Sequence, residues 1–181
     1  MARTRPVRLT VVLAGAAALA ACGGPSAPDG WRDVEVPGVS FDLPEGWVET
    51  GALNERWAYS WQDDAGEDAS VQVAVAPALG YYDAFTAQGM VMSSAQIGGM
   101  PGFRVVENHD PADLGRDSRE FRRLDFTYEP DDGQGVHEGV LWTASVDRQH
   151  QAVGVQLTGK DLDTDVVALL EASIVATGQD G

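Results

Sequence analysis

The sequence predicts an α+β domain in which helices cover a central antiparallel sheet of about six strands. Several short segments alternate apolar and polar residues, and two longer segments carry apolar residues at helical spacing. The strands also lack the continuous apolar runs that are typical of parallel sheets. Because each helix must bury its apolar stripe against the sheet, the expected architecture is an α/β/α sandwich.

The strands are predicted from a period of two in the apolar residues. In Phe121–Tyr128, Leu124 and Phe126 share one face, while Arg123 and Asp125 lie on the other. The other predicted strands are Val39–Leu43, Trp57–Trp61, Val71–Val75, Phe103–Glu107, Val140–Val146 and Val153–Leu157. In the later strands the alternate face carries small or polar residues, so that face is either wet or covered by a closely packed helix.

Two segments predict helices. Tyr82–Ile97 contains no proline and places Phe85, Met92 and Ile97 near helical spacing, although Gly89 weakens the pattern. The second segment, 164–176, begins with an acidic residue in its first turn, which suits the positive end of a helix dipole. Its apolar stripe consists of Val166, Val167, Leu169, Leu170 and Ile174.

One short motif carries a resemblance to a known family. Phe41-Asp42-Leu43-Pro44-Glu45-Gly46-Trp47 resembles the opening hairpin of the PsbP-like superfamily, in which a strand ends in Pro and Gly-Trp forms the turn before a second strand. The order of the later elements is also similar, so the resemblance covers about residues 34–176. It implies a central antiparallel sheet between helices. It implies no single activity, because proteins that share this fold do unrelated jobs.

The first 21 residues have the pattern of a signal peptide. Three arginines open the chain, and Leu9–Ala21 follows as 13 residues that are apolar except for Thr10. A membrane-spanning helix needs about 20 apolar residues. This shorter run therefore fits the apolar region of a secretory signal.

The segment Leu19-Ala20-Ala21-Cys22 resembles the lipobox of bacterial lipoproteins. In that family the thiol takes a diacylglyceryl group, with acyl chains such as palmitate, and the signal is cut just before the cysteine. The resemblance implies that Cys22 is the lipidated first residue, held at the extracytoplasmic side of the cell membrane. Two acyl chains give stable anchoring. The alternative is an ordinary secretory signal that has a cysteine near its end.

The domain organisation follows from this cleavage site. Residues 1–21 form the signal peptide, 22–30 the lipidated cysteine with a flexible Gly- and Pro-rich tether, and 31–178 a single α+β domain. Cys22 is the only cysteine, so the mature chain contains no disulfide and no thiolate metal site. We expect the domain to fold on its apolar core alone.

The charge balance excludes several classes of partner. The chain has 12 basic and 28 acidic side chains, a net charge of −16, and loss of the three signal arginines leaves −19. Binding to nucleic acid needs a basic surface, and anionic lipid also attracts basic segments. We therefore expect a monomer that reaches the membrane through the Cys22 anchor and contacts an envelope protein or a small ligand.

No recognisable catalytic or metal-binding motif is present in the sequence. His109, His137 and His150 lack the spacing of a zinc site, and the acidic stretch Asp161–Asp165 lacks the glycine and glutamate of a calcium loop. We expect no catalytic residue, no metal and no cofactor.

Four arginines, Arg116, Arg119, Arg122 and Arg123, form the main basic cluster. On so acidic a chain they could meet an anionic ligand. Acidic residues lie between them, however, and this pattern favours ion pairing along a strand and its approach loop.

The aromatic residues cluster near the start of the domain. Trp31, Trp47, Trp57, Tyr59 and Trp61 fall within 31 residues. Rings of this size close one end of a core. Alternatively, the last four edge a groove for a lipid, a glycan or a peptide on the face with small side chains.

The leading functional hypothesis is a lipid-anchored, non-enzymatic binding or accessory module of the cell envelope. Export and anchoring have clear sequence signals, whereas every catalytic motif that we considered is absent or incomplete. One alternative is an envelope hydrolase whose carboxylates, such as Glu45 or Asp125, work outside a known motif. A passive structural protein of the cell wall is the other.

The anchor prediction is tested by Cys22→Ser. Without the thiol no lipid can attach, so we expect the protein to leave the membrane fraction or to remain uncleaved, while the domain stays folded. Membrane fractionation, with mass spectrometry of the amino terminus, measures both results. A variant that is still processed and membrane-bound would show that Cys22 is not the anchor.

Overall fold

The computed structural model describes residues 27–66, 69–110, 116–117, 119–130, 133, 135–147 and 149–178. The predicted signal peptide, Cys22 and the first part of the predicted tether lie outside the described residues. Neither helix of the described part is long and apolar enough to cross a bilayer.

The described residues form ten strands and two α-helices. The strands are β1 (Trp31–Val36), β2 (Val39–Pro44), β3 (Val48–Glu49), β4 (Tyr59–Gln62), β5 (Val71–Ala76), β6 (Arg104–Asn108), β7 (Phe121–Tyr128), β8 (His137–Ala144), β9 (Val153–Gly159) and β10 (Val175–Ala176). The helices are α1 (Ala84–Ser94), which continues into a π-helical turn at Ala95–Gly99, and α2 (Thr164–Ser173).

The strands form two antiparallel sheets. The large sheet has seven strands in the order β3-β4-β5-β9-β8-β7-β6, and the small sheet has the order β1-β2-β10. The small sheet and α2 lie on one face of the large sheet, where Phe41 of β2 packs edge-to-face on Trp61 of β4 with ring centroids 5.6 Å apart. Helix α1 covers the other face.

The two faces of the large sheet pack against different elements and carry different side chains. The face toward the small sheet carries bulky residues such as Trp142, Val155 and Leu157, all fully buried. The face toward α1 carries small or polar residues on β5 and β9, but it carries bulky ones on β7 and β8, namely Leu124, Phe126 and Leu141. Thr143 Oγ1 donates a hydrogen bond to the carbonyl of Ala84 at 2.8 Å. This short contact lets α1 lie close to the sheet, so that the face is covered by a helix.

The α+β class and the antiparallel sheet are confirmed, with three corrections to the detail. The central sheet has seven strands rather than about six, and the second sheet was not predicted. Gly46 and Trp47 do not close a hairpin, because they carry the chain from β2 in the small sheet to β3 in the large one. The hairpin partner of β2 is β1.

Local hydrogen bonds explain where elements start and end. Helix α1 begins at Ala84 because the Asp83 carboxylate accepts a bond from the Thr86 amide at 2.9 Å. Strand β4 begins at Tyr59 rather than Trp57, since Asn54 Oδ1 accepts from the amides of residues 56 and 57 and forms a turn.

Helix α2 ends at Ser173, three residues before its predicted end. The Ser173 hydroxyl accepts a hydrogen bond from the Asp42 amide at 2.9 Å, and Ile174 adopts an extended conformation with its side chain fully buried. Residues 175–176 then pair with β2 as β10. Tertiary pairing with the small sheet therefore overrides the helical pattern in this segment.

Candidate ligand-binding site

A pocket of about 560 Å³ lies between α2 and the outer strands of the large sheet. It is on the face toward the small sheet, beside that sheet. Its walls combine apolar side chains, including Val140, Leu162 and Val167, with charged ones. The charged lining residues are Arg116, Arg123, Asp125, Glu138 and Glu171.

The centre of the pocket wall is an ion-pair network around Arg123 of β7. Its Nε donates to Oδ1 of Asp125 at 2.8 Å, and its Nη2 donates to Oδ2 of the same carboxylate at 2.9 Å. Its Nη1 donates to Oε2 of Glu171 on α2 at 3.0 Å. The guanidinium therefore pairs with a carboxylate on its own strand and with one on the helix, in a geometry that arginine favours.

Further polar contacts hold the helix side of this network. Trp142 of β8 is buried, and its Nε1 donates to Oε2 of Glu171 at 2.9 Å. Arg116 donates to the carbonyls of Glu171 and Ile174, both at 3.1 Å, at the carboxyl end of α2. A cation at this position stabilises the negative end of the helix dipole.

Asp125 also contacts His109, whose Nε2 lies 2.9 Å from Oδ2 of the carboxylate. Partial burial raises the pKa of Asp125, but the hydrogen bonds from Arg123 and His109 lower it more, so its pKa lies below the ordinary value of 3.8. Burial likewise lowers the pKa of the Arg123 guanidinium, and its two carboxylate partners raise it above the usual value. Both groups are therefore charged over the whole physiological pH range.

Asp125 is not poised to act as a general acid. A general acid must hold a proton near neutral pH, which requires a raised pKa. Asp125 has the opposite shift, and Oε2 of Glu171 accepts bonds from Arg123 and Trp142. Glu45 lies in the exposed turn after β2. Among the described residues, no group of three His, Asp or Glu side chains could hold a metal ion.

The structure places the predicted aromatic group in two regions. Trp61 is buried in the core between the sheets, and Trp47 and Tyr59 pack partly buried against the same core. Trp57 packs instead under α1 and lines a groove of about 440 Å³ beside Met100. Of the four residues predicted to edge a ligand groove, only Trp57 lines this one, and Cys22 lies outside the described residues.

The pocket beside α2 was not predicted, although part of its signal is visible in the sequence. Arg123, Asp125 and Thr127 form the polar face of a strand whose other face is apolar. The alternation of opposite charges favoured ion pairing, which the structure confirms for Arg123. Nothing in the sequence places Glu171 beside this strand, because it lies 46 positions after Asp125.

The comparisons with known proteins support the fold. No family model matches the chain, and no curated protein matches it in sequence. The Ran-binding protein Mog1p of Saccharomyces cerevisiae superposes with a TM-score of 0.57 at 10% identity, over 82% of this chain and 96% of that one. The cyanobacterial PsbP, CyanoP, of Synechocystis sp. PCC 6803 superposes with a TM-score of 0.55 at 15% identity, over 87% and 98%.

A third structure, LpqN of Mycobacterium tuberculosis, described as involved in cell envelope biogenesis, has a TM-score of 0.49 at 14% identity, over 84% of this chain and 98% of that one. The first two structures show that this chain has a PsbP- and Mog1-like fold. At these identities the likeness concerns the fold alone.

The charge network predicts a specific change in acid stability for Asp125→Asn. Because the pKa of Asp125 is lower in the folded chain, its contribution to stability is present above about pH 4 and is lost as the pH falls through the folded pKa. At pH 7 we expect the variant to lose about 1–3 kcal/mol. This difference from the wild type should shrink between pH 5 and pH 2, as measured by urea denaturation.

The matched control is Asp29→Asn, which removes one negative charge at an exposed position far along the chain from the network. This control measures how much the removal of one negative charge, by itself, changes the free energy of unfolding of this acidic protein. If Asp125→Asn shows the same loss at pH 2 as at pH 7, Asp125 does not have a lowered pKa in the folded chain.

Proposed function

We propose that this protein is a lipid-anchored, extracytoplasmic binding module of the cell envelope, and that it holds its ligand or partner in the pocket beside α2. The observation that carries the proposal is the pocket itself. Its volume of about 560 Å³ lies within the range of about 300–1,000 Å³ of ligand sites, and it combines apolar walls with a few fixed charges.

The amino-terminal sequence supports the proposed extracytoplasmic, membrane-anchored location. A positively charged start, a short apolar run and the segment ending in Cys22 together predict export and lipid attachment. The short tether after Cys22 keeps the domain near the cell membrane. Because the chain is strongly acidic, the acyl anchor rather than surface charge would hold it there.

The ion pairing of the pocket carboxylates supports a non-enzymatic role. A hydrolase working through Asp125 or Glu171 needs one of them to release or accept a proton during turnover. Both instead pair with Arg123, at 2.8 Å and 3.0 Å.

A passive role in the cell wall is a weaker explanation of this geometry. A structural protein has no need for a preformed pocket, and the network that lines this one uses charged groups where apolar packing would serve. Such polar constellations are more often found where orientation of a bound group matters.

The proposal is tested by photo-crosslinking in living cells that carry the native anchor. p-Benzoylphenylalanine is placed at Ala168, an exposed residue of α2 that lines the pocket, and in a matched strain at Thr86, an exposed residue of α1 on the opposite face. We expect one discrete adduct from position 168 and none from position 86. Gel electrophoresis and mass spectrometry would detect either a protein or a small-molecule adduct.

If position 168 gives no adduct, or the two positions give the same mixture, the pocket is not a binding site in the envelope. Purification of each variant with an unchanged thermal transition shows that the crosslinker has not disrupted the fold.

A further inference from the structure

Strand β6 forms one edge of the large sheet, and all five of its residues are exposed. Its inner side pairs with β7, and no strand of the described residues pairs with its outer side. Two neighbouring valines, Val105 and Val106, are 41% and 63% exposed. An edge strand offers unpaired amides and carbonyls that can bind another extended segment.

The edge is continuous with the pocket beside α2. The register of β6 against β7 shifts between Val105 and Glu107, which marks a β-bulge at Val106. Bulges change the direction of a side chain, and Val106 indeed lines the pocket. A segment that paired with β6 would therefore run along the rim of the pocket and could place a side chain into it.

We propose that the occupant of this site is an extended, basic peptide segment of a partner protein, which adds a strand to β6 and inserts one side chain into the pocket. This inference rests on the proposed function, because it names the class of partner for the same pocket. Strand addition is a common mode of peptide recognition, in which main-chain bonds give affinity and side-chain pockets give specificity.

The basic character of the partner follows from charge complementarity. Acidic side chains outnumber basic ones by 28 to 12 in the chain, while the edge strand itself carries one exposed residue of each sign, Arg104 and Glu107. Within the pocket, Arg123 pairs with two other carboxylates, and Arg116 donates to the end of α2. Glu138 also lines the pocket and accepts a hydrogen bond from the Leu162 amide at 3.3 Å, and no cation of the described residues pairs with it, so its charge can meet a basic side chain. A second copy of this chain would meet strong like-charge repulsion.

The test uses the mature lipidated chain in nanodiscs of zwitterionic lipid. The probe is a synthetic peptide of alternating Val and Lys with blocked ends, and the comparison peptide has Glu in place of each Lys. We expect the basic peptide to bind and to slow amide hydrogen exchange at residues 104–108, while the acidic peptide has no effect. Backbone N-methylation of the basic peptide should abolish the protection, because it removes the donors that pair with β6.

The variant Val106→Lys distinguishes this site from general charge attraction. A lysine on an edge strand opposes pairing and repels a basic peptide. The control Val48→Lys adds the same charge at an exposed valine on β3, the opposite edge of the same sheet. We expect Val106→Lys to weaken binding at least tenfold and Val48→Lys to change it less than twofold.

Equal effects of the two variants, equal binding of the acidic peptide, or protection confined to residues away from 104–108 would each overturn the inference. Protection of β6 by self-association in the absence of peptide would also overturn it. The crosslinking experiment tests the proposed function independently. A small-molecule adduct at position 168 without peptide binding would support a binding module and contradict the peptide ligand. The absence of any adduct would contradict the binding module itself.

Discussion

The guanidinium of Arg123 pairs with two carboxylates that come from different layers of the protein. Asp125 lies on the same strand, and Glu171 lies on α2, whose apolar residues Val167 and Leu170 also pack in the core. A partly buried charge is tolerated only when partners satisfy it, so removal of any member leaves the others uncompensated. The network therefore fixes the position of α2 above β7, and the space left between them is the pocket.

The unequal faces of the large sheet explain why the pocket lies on this side. On one face, small residues of β5 and β9 let α1 approach closely. A hydrogen bond from Thr143 to Ala84 holds its first turn, and one from Ser145 to Tyr82 holds the chain just before it. On the other face, Phe41 and Trp61 fill the space beneath the small sheet. The same apolar cluster continues under α2, and polar contacts from Arg116, Arg123 and Trp142 also hold that helix. This face of the large sheet thus carries both an apolar core and the polar network that lines the pocket.

Sequence patterns predicted the parts of the fold that depend on local periodicity. Alternation in β7 and β9, and the apolar stripe of α2, predicted those elements within a few residues. The second sheet was missed because β10 has two residues and exists only through its pairing with β2. For the site, alternating charges predicted ion pairing along β7 and its approach loop, and the structure shows such a pair between Arg123 and Asp125. The position of Glu171 depends on tertiary packing. The contact between edge strand β6 and the pocket depends on a β-bulge. Neither feature is visible in the sequence.

The central claim is that the ion pairs of Arg123 hold α2 in place over a preformed pocket. It is tested most directly by native-state hydrogen exchange of Arg123→Met, with Arg122→Met as the control because Arg122 bonds to Asn108 rather than to α2. The account predicts that the amides of α2 exchange about tenfold faster in Arg123→Met, while those of β5 and β9 keep their protection and the control is unchanged. Unchanged exchange in α2 would contradict it, since the helix would then be held by its apolar contacts alone.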